Sequence, residues 1–396
     1  MSWPMVSIES VAKVITGKTP PKADPNCFGG NIPFITPSEL TDSDYLLKPD
    51  TTLTEKGLAT TKLIPKNSIL VCCIGSLGKM AMADLPIATN QQINSVIFDE
   101  DKIYYRFGFY ALKLLKNELK NIAPSTTVAI VNKSRFSELK IPRPPLEEQR
   151  RIAGILDKAS GILQKREQAV KLGDDFLRAT FLEMFGDPVS NPKGWKVRPL
   201  KELSLKIASG STPKGGSKVY VDKGITFFRS QNVWKNDIRL DDVAYIDEKT
   251  HNNLKKSSLK HKDILMTKTG RFNTENSSLG RAALFLGKDD CANVNGHVYL
   301  IRLKPGILHE FIVYILTSNE YREHIREVCV GGIDKRQLNK EHIEDFPIIC
   351  PPDYLQMEFM RKLNFIQKIR SNAMTGLKEV TPLFNTLSQK AFSDGF

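Results

Sequence analysis

Cysteine is scarce in this chain. Six cysteines in 396 residues (27, 72, 73, 291, 329 and 350) form no CxxC pair, so neither a disulfide framework nor a zinc site is expected, and the thiols read as reduced and mostly buried. The six histidines are scattered singly. No apolar run approaches the roughly 18 residues that a membrane span needs. The opening Met1-Ser2-Trp3-Pro4 has neither the basic nor the apolar region of a signal peptide. The expectation is a cytoplasmic protein with no membrane partner. Catalytic signatures are missing too. Gly75-Ser76-Leu77-Gly78-Lys79 is too short for a Walker A loop, and Gly210-Ser211-Thr212-Pro213-Lys214-Gly215-Gly216 lacks the lysine after its last glycine. There is no G-x-S-x-G, no HExxH, no Asn-Pro-Pro-aromatic run of an amino-methyltransferase and no clear Asp…Glu-x-Lys nuclease pattern. These absences favour recognition over catalysis, with no cofactor and no metal.

What the chain does have is positive charge and repetition. The formal net charge is +13, and it is unevenly spread: residues 1–145 carry 17 Lys+Arg against 13 acids and 188–352 carry 27 against 19, while 146–187 (7 against 8) and 353–396 (6 against 4) are near balance. Basic segments separated by near-neutral ones suggest that the basic parts meet a polyanion.

Residues 132–187 return in altered form at 339–394. Asn132/Asn339, Pro144/Pro351, Gln149/Gln356 and Phe185/Phe392 share one offset of 207. The segments before them match more loosely. Gly17-Lys18-Thr19-Pro20 answers Gly210-Ser211-Thr212-Pro213 and Ile32-Pro33-Phe34-Ile35 answers Ile225-Thr226-Phe227-Phe228, both at offset 193. Ile69-Leu70-Val71 answers Ile264-Leu265-Met266 at 195, and Gly78-Lys79 answers Gly280-Arg281 at 202. The climbing offset marks a longer loop, 269–279, in the second copy, and loops are where recognition varies on a fixed scaffold. Short β-rich runs at 225–229, 262–267, 282–286 and 297–303, with helical patterns near 107–120 and 308–328, make each globular copy mixed α+β.

Each copy ends in a long heptad pattern. Leu156, Leu163, Val170, Leu177 and Met184 form one sevenfold row of the first; Ile152, Ala159 and Thr180 lie on another, interrupted by Arg166 and Gly173. In the second, Phe359, Ile366, Ala373, Val380 and Leu387 form one row, and Leu363, Leu377, Phe384 and Ala391 the other, interrupted by Arg370. Such seams imply coiled-coil pairing. Pro144-Pro145 and Pro351-Pro352 stop the helices running backward, and Pro382 predicts a kink or break in the second. Antiparallel packing of the two helices in one chain gives a pseudo-twofold dumbbell; a parallel seam used for homodimerisation is the competing arrangement.

Taken together, these features resemble the specificity subunit of Type I restriction–modification systems. The resemblance rests on Lys66-Asn67-Ser68-Ile69-Leu70-Val71 with Gly75 and Gly78-Lys79, on His261-Lys262-Asp263-Ile264-Leu265-Met266 with Gly270 and Gly280-Arg281, on Asn90-Gln91-Gln92, on the Pro-Pro-x-x-x-Gln starts at 144–149 and 351–356, and on Ile152-Ala153-Gly154-Ile155-Leu156-Asp157. It covers essentially the whole chain; Asp353-Tyr354-Leu355 in place of Leu146-Glu147-Glu148, and Pro382, are departures. It implies two similar mixed α/β target recognition domains (1–145 and 188–352) separated by two long antiparallel coiled-coil helices (spacer regions 146–187 and 353–396). It further implies a non-catalytic subunit that binds double-stranded DNA, each domain reading half of a bipartite site, and that recruits two methyltransferase and two restriction/translocase subunits. The rival readings are a duplicated protein-binding scaffold without DNA specificity and a fused methyltransferase without recognisable motifs.

Base reading needs Arg, Lys, Asn, Gln, Ser or Thr at groove depth, while other cations hold phosphates. In the second domain the candidates are Arg229, Gln231, Asn232 and Lys235; then Lys268, Thr269, Arg271, Asn273 and Arg281 in or beside the long loop; then Asn295, His297, Lys335 and Arg336. Their counterparts in the first domain are Thr36, Ser38, Ser76, Lys79, Asn90, Gln91, Gln92, Thr126, Lys133 and Arg135. Of these, Lys79, Arg281 and Asn90 match between copies or with the family and so read as framework as readily as contacts. The helix-surface charges Glu147, Glu148, Arg150, Arg151, Lys165, Arg166 and Glu167 read as a solvated face or a dock for the methyltransferases.

Overall fold

The computed structural model describes residues 3–42, 44–123, 128–271, 277–332 and 335–393. The chain divides into two compact units, Met1–Gln168 with Ala373–Phe396, and Ala169–Asn372. Each unit holds one globular head together with a stretch of each long helix.

The heads share one topology. In the first, an antiparallel four-stranded sheet runs in the order Ala12–Thr16, Ile93–Phe98, Ile69–Cys72, Met80–Met82. In the second, the same order is filled by Ser204–Ser209, Val298–Leu303, Ile264–Thr267 and Ala282–Leu284. A three-stranded sheet follows the same rule. Phe28–Ile35 lies between antiparallel Thr52–Leu53 and parallel Ala88–Thr89. Ile225–Phe228 lies likewise between Ala244–Ile246 and Ala292–Val294. A two-stranded ribbon closes each head, Met5–Ser7 with Lys140–Pro142 and Val197–Pro199 with Pro347–Ile349. The predicted strands of the second head are all present, trimmed by one to two residues at their ends. The helical stretch near 308–328 is two helices, His309–Thr317 and Asn319–Val328, because Ser318 leaves helical geometry and its hydroxyl caps the second by accepting from Tyr321 N at 3.2 Å.

The long helices run Leu146–Phe185 and Asp353–Ser393. Every residue of the apolar rows is buried or half-buried, and within each unit the two stretches run antiparallel. In the first unit, Ile152 and Leu156 share a core with Ala391 and Phe392, and Arg166 lies over Gly376, where a methyl would fall 0.9 Å from Nη1. Gly376 thus leaves room for a guanidinium that interrupts the seam. In the second unit, Phe181 and Phe185 pack on Phe359 at ring separations of 5.3 and 5.7 Å, Gly173 faces Ile366, and Arg370 Nε sits 3.3 Å from Asp174 Oδ1. Both seam-interrupting arginines are therefore accommodated, one by a glycine and one by a carboxylate.

The break expected at Pro382 does not occur. The second helix continues through it to Ser393. The missing N–H costs one ladder bond, but the turns beyond are held from outside: Phe384, Leu387, Ala391 and Phe392 pack on the first head, and Trp3 Nε1 donates to Ala391 O at 3.2 Å.

The two glutamines that begin the helices act as latches of unequal strength. Gln149 is fully buried. Its Oε1 accepts from Tyr104 N (2.8 Å), and its Nε2 donates to Lys102 O (2.9 Å) and Pro144 O (2.8 Å), which ties helix, head and Pro-Pro turn together. Gln356 is half-buried and donates to Pro351 O at 2.7 Å. Replacing Gln149 with Leu strands buried backbone groups and should cost about 2–3 kcal/mol, whereas Gln356→Leu should cost about 1 kcal/mol or less. Urea unfolding midpoints of the two variants test the order; equal shifts would contradict it.

Candidate nucleic-acid interface

In both heads the polar side chains gather where the central strand of the three-stranded sheet ends, beside the turn that precedes Ile93–Phe98 or Val298–Leu303. The framework there is the same twice. Asn90 N donates to Ile35 O (3.1 Å) and Asn295 N to Phe228 O (2.9 Å). Asn90 Oδ1 accepts from Gln92 N (3.1 Å), as Asn295 Oδ1 does from His297 N (3.0 Å). Glu39 Oε2 accepts from Thr36 N (2.6 Å), and Asn232 Oδ1, at the matching position, from Arg229 N (2.9 Å). Asn90 and Asn232 are buried and Asn295 half-buried; their amides build the turns.

In the first head the Thr36 and Ser38 hydroxyls turn inward onto Glu39, at 2.8 and 2.9 Å. Thr36, Asn90, Gln91 and Gln92 line one groove of about 780 Å³ together with Thr19, Lys22, Phe28 and Phe34. Thr19 donates to Gln91 Oε1 at 2.6 Å. Ser76 and Lys79 line a second hollow of about 360 Å³ with Lys116 and Lys120, and Lys79 Nζ donates to Pro37 O at 2.8 Å. Lys133 and Arg135 are exposed on the helix Lys133–Glu138, which Asn132 caps. Thr126 lies outside the described residues.

The second head gathers its candidates into two adjoining groups. Around a small sheet, Thr269–Gly270 pairs with Lys335–Gln337, Gly270 opposite Arg336, and Lys335–Gln337 pairs with Val330–Gly332. This sets Thr269, exposed Arg271, exposed Lys335 and half-buried Arg336 on one ribbon. Lys268 N donates to His297 O at 2.9 Å, which joins that ribbon to the exposed His297, and Lys268 Nζ lies 5.6 Å from the Tyr299 ring. The other group surrounds the hairpin Val233–Trp234/Asp237–Ile238. Arg229 pairs with Asp242 Oδ1 at 3.0 Å, and Gln231 Nε2 donates to the same carboxylate. Lys235 is exposed on the hairpin turn. Arg281 Nε donates to Ser277 O at 3.0 Å. Asn273 lies outside the described residues.

The sequence reading did not name Thr19 and Lys22 as groove residues, nor Trp234 and Arg239 beside Arg281. The Gly-x-Thr-Pro repeat held the signal for Thr19, since a motif kept at offset 193 had to pack against something kept as well. That something is the Asn turn. A methyl on Gly17 would fall 2.2 Å from Thr89 O, and one on Gly210 would fall 2.2 Å from Asn295 O and 2.3 Å from Val294 O.

Two copies of one mixed α/β head, each built onto antiparallel stretches of two long helices and each gathering polar side chains at the same turns, define a duplicated helix-and-head scaffold. Comparison with known proteins gives that scaffold its family. Residues 2–172 and 192–380 match the family model described as the Type I restriction modification DNA specificity domain, and the chain belongs to that family. It is 25% identical over 379 residues to the Type I restriction enzyme MjaIX specificity subunit of Methanocaldococcus jannaschii, covering 90% of this chain and 85% of that protein. It is 31% identical over 165 residues to the HindI specificity subunit of Haemophilus influenzae, covering 39% and 36%. Its fold is that of the crystal structure of the Type I restriction–modification system S subunit from M. genitalium, with a TM-score of 0.61 at 18% identity over 99% of this chain and 96% of that one. Among the described residues, no helix is long and apolar enough to cross a membrane.

The close approach at Gly210 gives a test of the shared turn. Gly210→Ala drives a methyl into two backbone carbonyls that cannot swing aside as a side chain can, and it should destabilise by about 1–3 kcal/mol. Gly17→Ala should do the same in the first head. Thermal and urea unfolding read both; an unchanged midpoint would show that the turn shifts freely and is not a fixed platform.

Proposed function

We propose that this chain is the non-catalytic specificity subunit of a Type I restriction–modification complex. In this reading its heads, 1–145 and 188–352, each read one half of a bipartite DNA site. The helical regions, 146–187 and 353–396, set the unspecified spacer. Two methyltransferase subunits and two restriction/translocase subunits assemble on it in the cytoplasm. The observation that carries the reading is the division of labour at the turns. Positions that build the platform do the same job in both copies, whereas the side chains the platform presents differ: Thr36 against Arg229, Gln92 against His297. A scaffold repeated for structure alone has no need of that divergence, while two readers of unlike half-sites require it.

Within this reading, exposed Arg271 and Lys335 on the ribbon of the second head, with His297 beside them, are base-edge candidates, because Arg and Lys suit the guanine edge. In the first head the candidates are Gln92, the counterpart of His297, and Gln91 beside it. Lys133 and Arg135, on a helix surface, suit phosphates.

Two outcomes follow. Inserting one heptad into each long helix adds about 10 Å, so mapping of methylated adenines should show a longer spacer between unchanged half-sites; altered half-sites at unchanged spacing would defeat the ruler. Arg271→Ala should relax one half-site only, at a cost of about 1–3 kcal/mol, read by binding or methylation of duplexes varied one base pair at a time. A loss uniform over all sequences would make Arg271 a phosphate contact.

A further inference from the structure

The hairpin of the second head holds an arrangement that the base-reading account does not use. Two guanidinium carbons lie over the Trp234 ring, Arg239 Cζ at 3.5 Å and Arg281 Cζ at 3.8 Å from its centroid. The indole is half-buried and fixed, since Trp234 Nε1 donates to Gln231 O at 2.9 Å. The turn that carries it is anchored on both sides: Asn236 N donates to Ala282 O (2.9 Å), and Thr317 Oγ1 donates to Asn236 Oδ1 (3.1 Å). Lys235, on the same turn, directs its Nζ to Asn319 Oδ1 at 3.5 Å. Burial, together with the neighbouring Arg322 and Arg239 guanidiniums, pulls Arg281 below the ordinary arginine range, as expected where like charges are crowded.

The equivalent turn of the first head has the opposite character. Asp42 N donates to Met80 O at 2.9 Å, as Asn236 N does to Ala282 O, so the two turns occupy the same place. There the chain supplies Asp42, which pairs with Lys116 at 2.7 Å, and Lys79, the counterpart of Arg281, is drawn onto Pro37 O. The first turn is thus an acidic residue answered by a lysine, whereas in the second Arg239, in an exposed ion pair with Asp237 at 3.6 Å, and Arg281 both lie over an aromatic ring.

We propose that Arg239 and Arg281, stacked on Trp234, form a clamp for the DNA phosphate backbone that, among the described residues, has no counterpart in the first head. This rests on the reading of the chain as a DNA-specificity subunit. A guanidinium lying face-on to an indole keeps its N–H donors in plane and directed away from the ring, where they can meet phosphate oxygens, although Arg281 already gives its Nε–H to Ser277 O at 3.0 Å. The ring fixes the side chains before the anion arrives, so less freedom is lost on binding. Phosphates are the same at every base pair, so the clamp adds affinity without sequence preference. Trp234 is a positioning residue in this scheme, and Arg239 and Arg281 make the contact.

The test is equilibrium binding of the full chain to a random-sequence duplex and to duplexes carrying its methylation site, over a salt series. Arg239→Gln should weaken every duplex several-fold to the same degree and lower the slope of log affinity against log salt by about one; Arg281→Gln should do likewise. Trp234→Leu should lower the slope as well, whereas Trp234→Phe, which keeps a ring face, should restore most of it. Arg239 is exposed, so its variant keeps the test independent of folding defects at Arg281 or Trp234. If wild-type chain binds duplex with a salt slope that Arg239→Gln and Arg281→Gln leave unchanged, the clamp is wrong and the specificity reading stands. A loss confined to one sequence would make the pair base readers and would equally overturn it. If the wild-type chain binds no duplex, the DNA reading fails and the clamp with it.

Discussion

Phe185 and Phe392 end the two long helices at positions 207 residues apart, and each is the point where a helix end is locked to a head. Phe185 packs on Phe311 at 5.2 Å and on Phe359 at 5.7 Å; Phe392 packs on Phe107 at 5.0 Å. Phe311 and Phe107 are equivalent residues of the two heads, so one contact has been made twice. Its consequence is topological. A heptad row exposed on an isolated helix has no stability in water, and each head completes its core only by receiving the end of one helix and the beginning of the other. For the second head both pieces adjoin it in sequence. For the first head, one piece comes from the far end of the chain, which is why Trp3 meets Ala391 and why the first unit is discontinuous. The core of the first unit is therefore completed by residues distant in sequence, whereas that of the second is completed by residues adjoining its head.

The coupling of head to helix differs in chemistry between the units. In the first, Arg106 Nη2 bridges Asp44 (2.8 Å) and Asp157 (2.6 Å), Tyr110 OH donates to Asp157 (2.8 Å), and Gln164 Nε2 donates to Asp44 (2.8 Å). Burial acts to raise Asp44, but the Gln164 and Arg106 hydrogen bonds outweigh it and hold the carboxyl below its ordinary range. In the second, the places of Arg106, Tyr110 and Asp157 are taken by Glu310, Tyr314 and Asn364, and the joint is aromatic: Tyr314 lies 4.8 Å from Phe359 and 5.0 Å from Phe181. Beside the rings, Arg178 Nε of the long helix donates to Glu320 Oε1 of the head at 2.9 Å, so both units join head to helix by packed and polar contacts, weighted differently.

How much of this was legible in the sequence depended on whether the signal was local. The heptad rows, the Pro-Pro stops and the Gln149/Gln356 pair stood out because they repeat at one offset, and the strand and helix patterns of the second head were recoverable to within a few residues. The turn framework was half legible. Asn90 could be suspected, but Glu39 and Asn232 are different residues doing one job, capping the chain where a central strand ends, and no comparison of letters would have paired them. Trp234, Arg239 and Arg281 were invisible as a set because a hairpin and a separate strand bring them together. Pro382 misled for the complementary reason: local propensity argued for a break, and the packing of Phe384 through Phe392 on the first head overrode it.

The same distinction separates platform from reader. Where two copies keep one backbone bond, as Asn90 and Asn295 do, the side chain is committed to geometry and cannot also tell one base from another. On the proposed function, specificity resides in what the platform leaves pointing outward and unequal, and in the longer loop of the second copy. Substitutions at exposed Arg271 or Lys335 touch neither the turns nor the helix ends, whereas changes at Asn232, Gln149 or Phe185 strike contacts on which a whole unit depends. If the heads read DNA as proposed, recognition and stability rest on different atoms of the same few strands, so one can vary while the other holds.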